Sequence, residues 1–239
     1  DTGSKSTAVG YNALAAQNVD GDVLNTAVGY FAGKSITTGT HNTLVGGISG
    51  QSLTEGNLNV AIGYGTLAAE TLGDRSIAIG VNALNAQNNT SDVDAYNVAV
   101  GYEAGTLITT GVENTLIGGH AGDALTTGVS NVALGFAALS ASVDGDSNTA
   151  IGYAALLAYE DGDGNGHNTA VGAASQSAAT TGEFNTSLGS KAMGTGVATG
   201  DNNVAIGYQT GNALTSGSAN VLIGRDAGDA LTSGANNVA

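Results

Sequence analysis

Between Asp161 and Gly166 the chain reads "DGDGNG", the stretch whose residue types point most directly to chemistry. Asp161, Asp163 and Asn165 stand at alternate positions, where side-chain oxygens can converge on a calcium ion, and Gly166 permits the tight bend that follows. The match covers the first half of a calcium loop only, because the twelfth position is Gly172 and not a bidentate glutamate. A solvated acidic turn uses the same residues. Asp20 with Asp22, Asp92 with Asp94, and Asp144 with Asp146 are poorer versions of the pattern. Calcium is thus the one candidate cofactor, with Asp161, Asp163 and Asn165 as its ligands.

Other chemistry is harder to read. His41, His120 and His167 fall at unrelated places in the pattern described below, and neither a metal triad nor a Ser-His-Asp order is legible. Paired carboxylates of the glycosidase kind need a cleft, which a regular stack of coils seldom offers. Tyr11, Tyr30, Tyr64, Tyr102, Tyr153 and Tyr208, with Phe136, share one position and could stack sugars; packing and subunit contact are the competing uses. The expectation is a protein that is not an enzyme.

The elements that hold these residues follow from a repeat. The phrase "NTAVGYFAG" from Asn25 returns as "NVAIGYGTL" from Asn59, "NVAVGYEAG" from Asn97 and "NVAIGYQTG" from Asn203. Its glycine falls at 10, 29, 46, 63, 80, 101, 118, 135, 152, 172, 189, 207 and 224, most often 17 residues apart. Seventeen residues are too few for a pair of helices and suit one coil of a parallel β-solenoid, expected to hold two short strands and two turns. Thirteen coils at about 4.8 Å each would make a rod of about 60 Å. The fold class expected is therefore all-β, one solenoid domain over residues 1–239.

Column by column, the repeat assigns roles. The aliphatic residue before each glycine (Val9, Val28, Val45, Ile62, Ile79, Val100 and on to Ile223) reads as the core row. The small residue before it, usually Ala, then lies on the opposite strand face, free for close approach of another chain. The Asn column, interrupted by Ser6 and Ser76, reads as a hydrogen-bonded ladder of amides. Thr alternates with Val and Ile at Thr26, Thr43, Val60 and Ile77, too irregularly for a threonine array that organises ice.

A slower rhythm overlies the first. Four residues past the glycine stand Leu14, Gly33, Gly50, Leu67, Leu84, Gly105, Gly122 and Leu139. Where this residue is Gly, a large apolar side chain follows three places on (Ile36, Leu53, Ile108, Leu125); where it is Leu, the later residue is polar, as at Glu70 and Ser142. One large side chain per coil would then fill one pocket from either of two places. The Leu-Gly-Gly-Leu order defines four-coil blocks, 6–75 and 76–147 with a drifting third over 148–239. Acidic insertions at 17–24, 87–96 and 158–167 open each block, and a specific site is first expected there.

Composition narrows the partners. Among 239 residues there are 39 Gly and no Pro, Cys or Trp, so disulfides play no part. Twenty acids against five bases leave a charge of −15, which disfavours nucleic acid and anionic membrane surfaces. No apolar run approaches the roughly 20 residues of a membrane helix.

With its N-[TV]-A-[VI]-G phrases followed by Tyr, the chain resembles two groups of extracellular fibres. One is the β-roll head of trimeric autotransporter adhesins of the YadA type; the other, closer in its "NTAVGY" phrase, is the repeat shaft of phage tail fibres. The resemblance implies a side-by-side homotrimer on a virion or cell-surface appendage, engaged in attachment to a host cell through a glycan or protein receptor. On that reading the chain is a segment of a longer fibre, with an adhesin head or a secreted carbohydrate-active β-helix enzyme as alternatives.

Overall fold

The computed structural model describes residues 5–160 and 165–239. It divides into two compact units, Asp1–Asn114 and Thr115–Ala239, and each is a parallel β-solenoid. In the first, six strands follow in order: β1 (Thr7–Val9), β2 (Thr26–Val28), β3 (Thr43–Val45), β4 (Val60–Ile62), β5 (Ile77–Ile79) and β6 (Val98–Val100). In the second are β7 (Thr115–Ile117), β8 (Val132–Leu134), β9 (Thr149–Ile151), β10 (Thr169–Val171), β11 (Thr186–Leu188), β12 (Val204–Ile206) and β13 (Val221–Ile223). Among the described residues this makes thirteen coils with a period of about 17 residues, all β, and no helix long and apolar enough to cross a membrane. Insertions do not disturb the register. Thr7 faces Thr26, Ile77 faces Val98 and Thr149 faces Thr169 although the intervening coils differ in length.

Each coil carries one three-residue strand, not the two expected. The strand glycine ends it, with φ of 145° at Gly29 and 137° at Gly46 and Gly63. Left-handed residues two and four places later (Phe31 and Gly33, φ 57° and 55°) then turn the chain, and another (His41, φ 59°) turns it back before the next Asn. The turns stack as the strands do: Gly33 N–H donates to Ser49 O at 2.9 Å and Gly50 N–H to Thr66 O at 2.9 Å. Backbone groups outside the strands are thereby satisfied by the neighbouring coil. The strand glycine is required twice over, because a Cβ on Gly29 would also lie 2.3 Å from the Gly46 carbonyl oxygen.

The expected core row is on the wrong side. Ala27, Ala61, Ala78 and Ala99 are fully buried, whereas Val28 and Ile62 remain 36% and 38% exposed. The reason is the pleat. Side chains two apart share a strand face, so the ladder Asn and the Ala two residues on point the same way. Asn25, Asn42 and Asn59 are buried, and they carry Ala27, Leu44 and Ala61 inward with them. The aliphatic row therefore faces out beside the Thr/Val row. The interior is thin: small strand-centre residues, a second small column at Ala32, Ser49 and Thr66, and the two alternative large positions.

Those two positions behave nearly as read. Leu67, Leu84, Ile36, Leu53 and Ile108 are all fully buried. Where glycine replaces the first of the pair, the space is taken: a Cβ on Gly50 would lie 2.9 Å from Leu44 Cδ2, and one on Gly122 2.9 Å from Leu116 Cδ2. The polar residues of the Leu coils do not leave the interior, however. Glu70, Gln87 and Ser142 are as buried as the leucines beside them.

Candidate functional site

Two outward features of the coils offer surface for recognition. The first is the sheet face, where the aliphatic row runs beside Thr or Val, with Val28, Ile62 and Ile77 exposed in the first unit and Ile117, Leu134, Leu188 and Ile223 in the second. Nearly every side chain on it is β-branched, so it is stiff as well as apolar. The second is the aromatic column that directly follows the strand glycine; Tyr11, Tyr30, Tyr64, Tyr102, Phe136, Tyr153 and Tyr208 are all exposed. Because the coils repeat in register, neighbouring rings stack: Tyr11 and Tyr30 at 5.6 Å between centroids and 13° between planes, Phe136 and Tyr153 at 6.0 Å and 10°. Tyr102 stands apart electrically, since a hydrogen bond to Glu103 and that carboxylate's charge raise its pKa above the usual tyrosine value.

The buried polar residues form a second system, which is structural. The Asn ladder is present: Asn42 N–H donates to Asn25 Oδ1 at 2.8 Å and Asn59 N–H to Asn42 Oδ1 at 3.0 Å, and side-chain amides also meet directly, Asn42 Nδ2 donating to Asn25 Oδ1 at 3.2 Å and Asn237 Nδ2 to Asn220 Oδ1 at 2.8 Å. Most of the amide groups then close their own coil, with Asn42 Nδ2 donating to Gly56 O at 2.8 Å and Asn59 Nδ2 to Gly73 O at 2.9 Å, whereas Asn148 Nδ2 is buried without a partner among the described residues. In the second unit the same rungs join Asn131 to Asn148 and Asn168 to Asn185.

Where Ser76 replaces the ladder Asn, Gln87 supplies the missing reach. It donates to Ser76 Oγ at 3.0 Å and accepts from Asn97 Nδ2 at 3.0 Å. Gln17 does the same for Ser6, donating to its Oγ at 3.1 Å and accepting from Asn25 Nδ2 at 3.1 Å. Glu70 is the centre of the network. Its Oε1 accepts from the backbone N–H of Thr71, Leu72, Gly73 and Asn89, and its Oε2 from Gln87 Nε2 at 2.8 Å and Asn89 Nδ2 at 3.0 Å. Six donors around one carboxylate leave it no lone pair for a ligand. The pairing of Ser6 with Gln17 and Ser76 with Gln87, eleven residues apart in both cases, was the sequence signal for this network.

The calcium pattern is reached only in part. Asp161 and Asp163 lie outside the described residues; Asn165 is described, and its backbone carbonyl accepts from the Tyr159 hydroxyl at 3.1 Å. The poorer acidic pairs have internal work. Asp22 holds Lys5 at 2.6 Å, Asp94 is paired with Arg75, and Asp146 Oδ1 accepts from Val129 N–H at 2.7 Å. Among the described residues no cluster of three or more His, Cys, Asp or Glu could hold a metal ion.

Among the described residues, side chains of catalytic type meet around Asp123 and beside Asp92. His120 Nδ1 lies 3.1 Å from Asp123 Oδ2, and Ser140 Oγ donates to Asp123 Oδ1 at 2.6 Å. Here the carboxylate stands between the other two, so the imidazole is not placed to take the serine proton, and a triad is not formed. Glu55 and Asp92 share the wall of a cleft of about 230 Å³ with Thr38, Asn57 and Leu72. This cleft carries two carboxylates, and Asp92 belongs to the 87–96 insertion.

No family model matches the chain, and no curated protein or solved structure matches it either.

Proposed function

We propose that this chain is the shaft of an extracellular fibre, built from three copies side by side, that holds a receptor-binding tip away from a virion or cell in host attachment. The observation that carries the reading is the stiff apolar sheet face of Val28, Ile62 and Ile77, left exposed on the coil stack. This face replaces the Ala column as the surface between chains, because Ala27 and Ala61 are buried inside their own coils. Covering it would bury about 1 kcal/mol of hydrophobic free energy per residue at ~25 cal/mol per Å², summed over every coil. A periodic face also matches its own copy at the same coil spacing, which suits a closed, symmetric assembly. The exposed aromatic column favours a second reading, an adhesin head that itself contacts the host surface.

Light scattering decides between assembly and its absence. The expected mass is three times that of the chain, and changing Val28, Ile62, Ile117, Leu134, Leu188 and Ile223 together to Ser is expected to lower it to one while the circular dichroism stays unchanged. A clean monomer at all concentrations would overturn the reading.

A further inference from the structure

One place on the surface breaks the pattern of its own repeat. Two residues past the strand glycine, the coils carry Asn12, Phe31, Ile48, Gly65, Asn82 and Glu103 in the first unit, and among all thirteen coils Phe31 is the only phenyl ring at this position. Five past the glycine, Lys34 is the only cation of its column, where other coils have residues such as Ala15, Gln51 and Asp123. Stacking does not demand either residue, since the neighbouring coils form the same turn without them. Both departures occur in one coil, and they meet: Lys34 Nζ lies 4.8 Å from the centre of the Phe31 ring.

The surroundings make a pocket of them. Tyr30 backs the phenyl ring at 4.1 Å between centroids and Tyr11 at 5.5 Å, so Phe31 is held by two further rings. In front lies an open hollow of about 400 Å³ lined by Asn12, Ala15, Ala16, Phe31, Lys34 and Ser35. Its lining combines two methyl groups, an aromatic ring, an amide, a hydroxyl and an ammonium. No carboxylate lines it, although the chain carries −15 overall.

We infer that this hollow is a binding site for an acidic saccharide, a pyranose bearing a single carboxylate. The C–H face of a pyranose is the flat, weakly apolar shape that packs against aromatic and small apolar side chains, and its hydroxyls need both donors and acceptors. Asn12 and Ser35 offer both kinds. Lys34 selects the carboxylate, as the one positive group of the lining. A wholly apolar ligand would leave the polar lining groups unpaired, and a polyanion would be repelled by the charge of the rest of the chain. The site stands apart from the sheet face that the shaft reading uses, and it exists whether that reading holds or not.

The test is a titration of the whole chain with methyl β-D-glucuronide and, separately, with methyl β-D-glucoside, followed by amide and side-chain NMR shifts. The uronide is expected to move the signals of Phe31, Lys34 and Ser35, with the glucoside about tenfold weaker, a difference of about 1.4 kcal/mol. Lys34→Gln is expected to bring the uronide down to the level of the glucoside. Phe31→Asn, which suits the left-handed backbone at this residue, is expected to abolish both. Equal binding of the two sugars, binding that survives Phe31→Asn, or no shift with either sugar overturns the inference. Native mass is read on the same samples. A monomer that binds the uronide sinks only the shaft, and a trimer that ignores it sinks only this site.

Discussion

Ile36 and Leu53 fill the interior seven residues past the strand glycine with hydrocarbon, whereas one and two coils further on Glu70 and Gln87 fill the same slot with a carboxylate and an amide. The backbone around the four is the same, and all four side chains are fully buried. What differs is the kind of completeness required. Hydrocarbon needs only volume, and a neighbouring glycine supplies it, as Gly33 does for Ile36. The carboxylate needs donors, and the chain supplies six from two successive coils. Apolar coils are thus interchangeable with one another, and the polar coil is not: Glu70 fits only where Gln87 and Asn89 follow. In a chain of near-identical units, such a junction fixes which coil stacks on which.

The largest effect expected from breaking this contrast is at Glu70. Glu70→Leu gives its coil the hydrocarbon of Leu53's and leaves four backbone N–H groups, Gln87 and Asn89 without their acceptor. A loss of about 3–5 kcal/mol is expected in urea unfolding. Adding Gln87→Leu removes one orphaned donor group but none of the backbone ones, so the double variant is expected to lie well short of the summed single losses. Strict additivity would mean that the two side chains do not act as one network.

The period, the ladder column and the Leu/Gly exchange were all legible in the sequence, because each is a statement about which residues recur. The direction of the side chains was not, because hydrophobicity alone sent Val28 and Ile62 inward. The needed constraint was present: Asn25 and Ala27 are two residues apart on a strand, and burying the first buries the second. The count of strands failed for a different reason. Left-handed backbone at Phe31, Ile48 and Asn82 breaks each coil after its glycine, and such residues carry no fixed signature at that position. At the hollow beside Phe31, the unusual residue types of its coil can be read directly, but that Lys34 reaches back over the ring depends on the turn.

An intermediate effect sharpens the inside–outside comparison along a single strand, β4. Ala61→Leu adds three carbons to a buried site and is expected to cost about 1–3 kcal/mol through overpacking. Leu44 and Leu116 occupy the equivalent position only because Gly50 and Gly122 make room, and the coil of Ala61 has Leu67 in place of that glycine. Its neighbour Ile62→Thr, on the outward face, is expected to stay within about 0.5 kcal/mol in the isolated chain. Thermal unfolding of the pair at one concentration checks the order, and a costlier Ile62→Thr would restore the aliphatic row to the core.

The smallest effect lies at the turn that closes each of the two coils. Leu58 and Arg75 precede Asn59 and Ser76, and both sit in the left-handed region at φ 58°. An ordinary side chain there costs about 1–2 kcal/mol that Asn largely avoids. Leu58 is 46% exposed, so its own contacts repay little of that cost, and Leu58→Asn is expected to stabilise the chain by about 0.5–1 kcal/mol. Arg75 differs in what its side chain does: it pairs with Asp94 and lies over the Tyr96 ring at 5.8 Å. Arg75→Asn relieves the same backbone but gives up an exposed ion pair worth about 0–1 kcal/mol and the ring contact, so the two terms nearly cancel. Equal gains at both sites would mean that the Asp94 pair contributes nothing. A gain at neither would place the left-handed preference in the stacking of the coils themselves, with the residue type irrelevant to it.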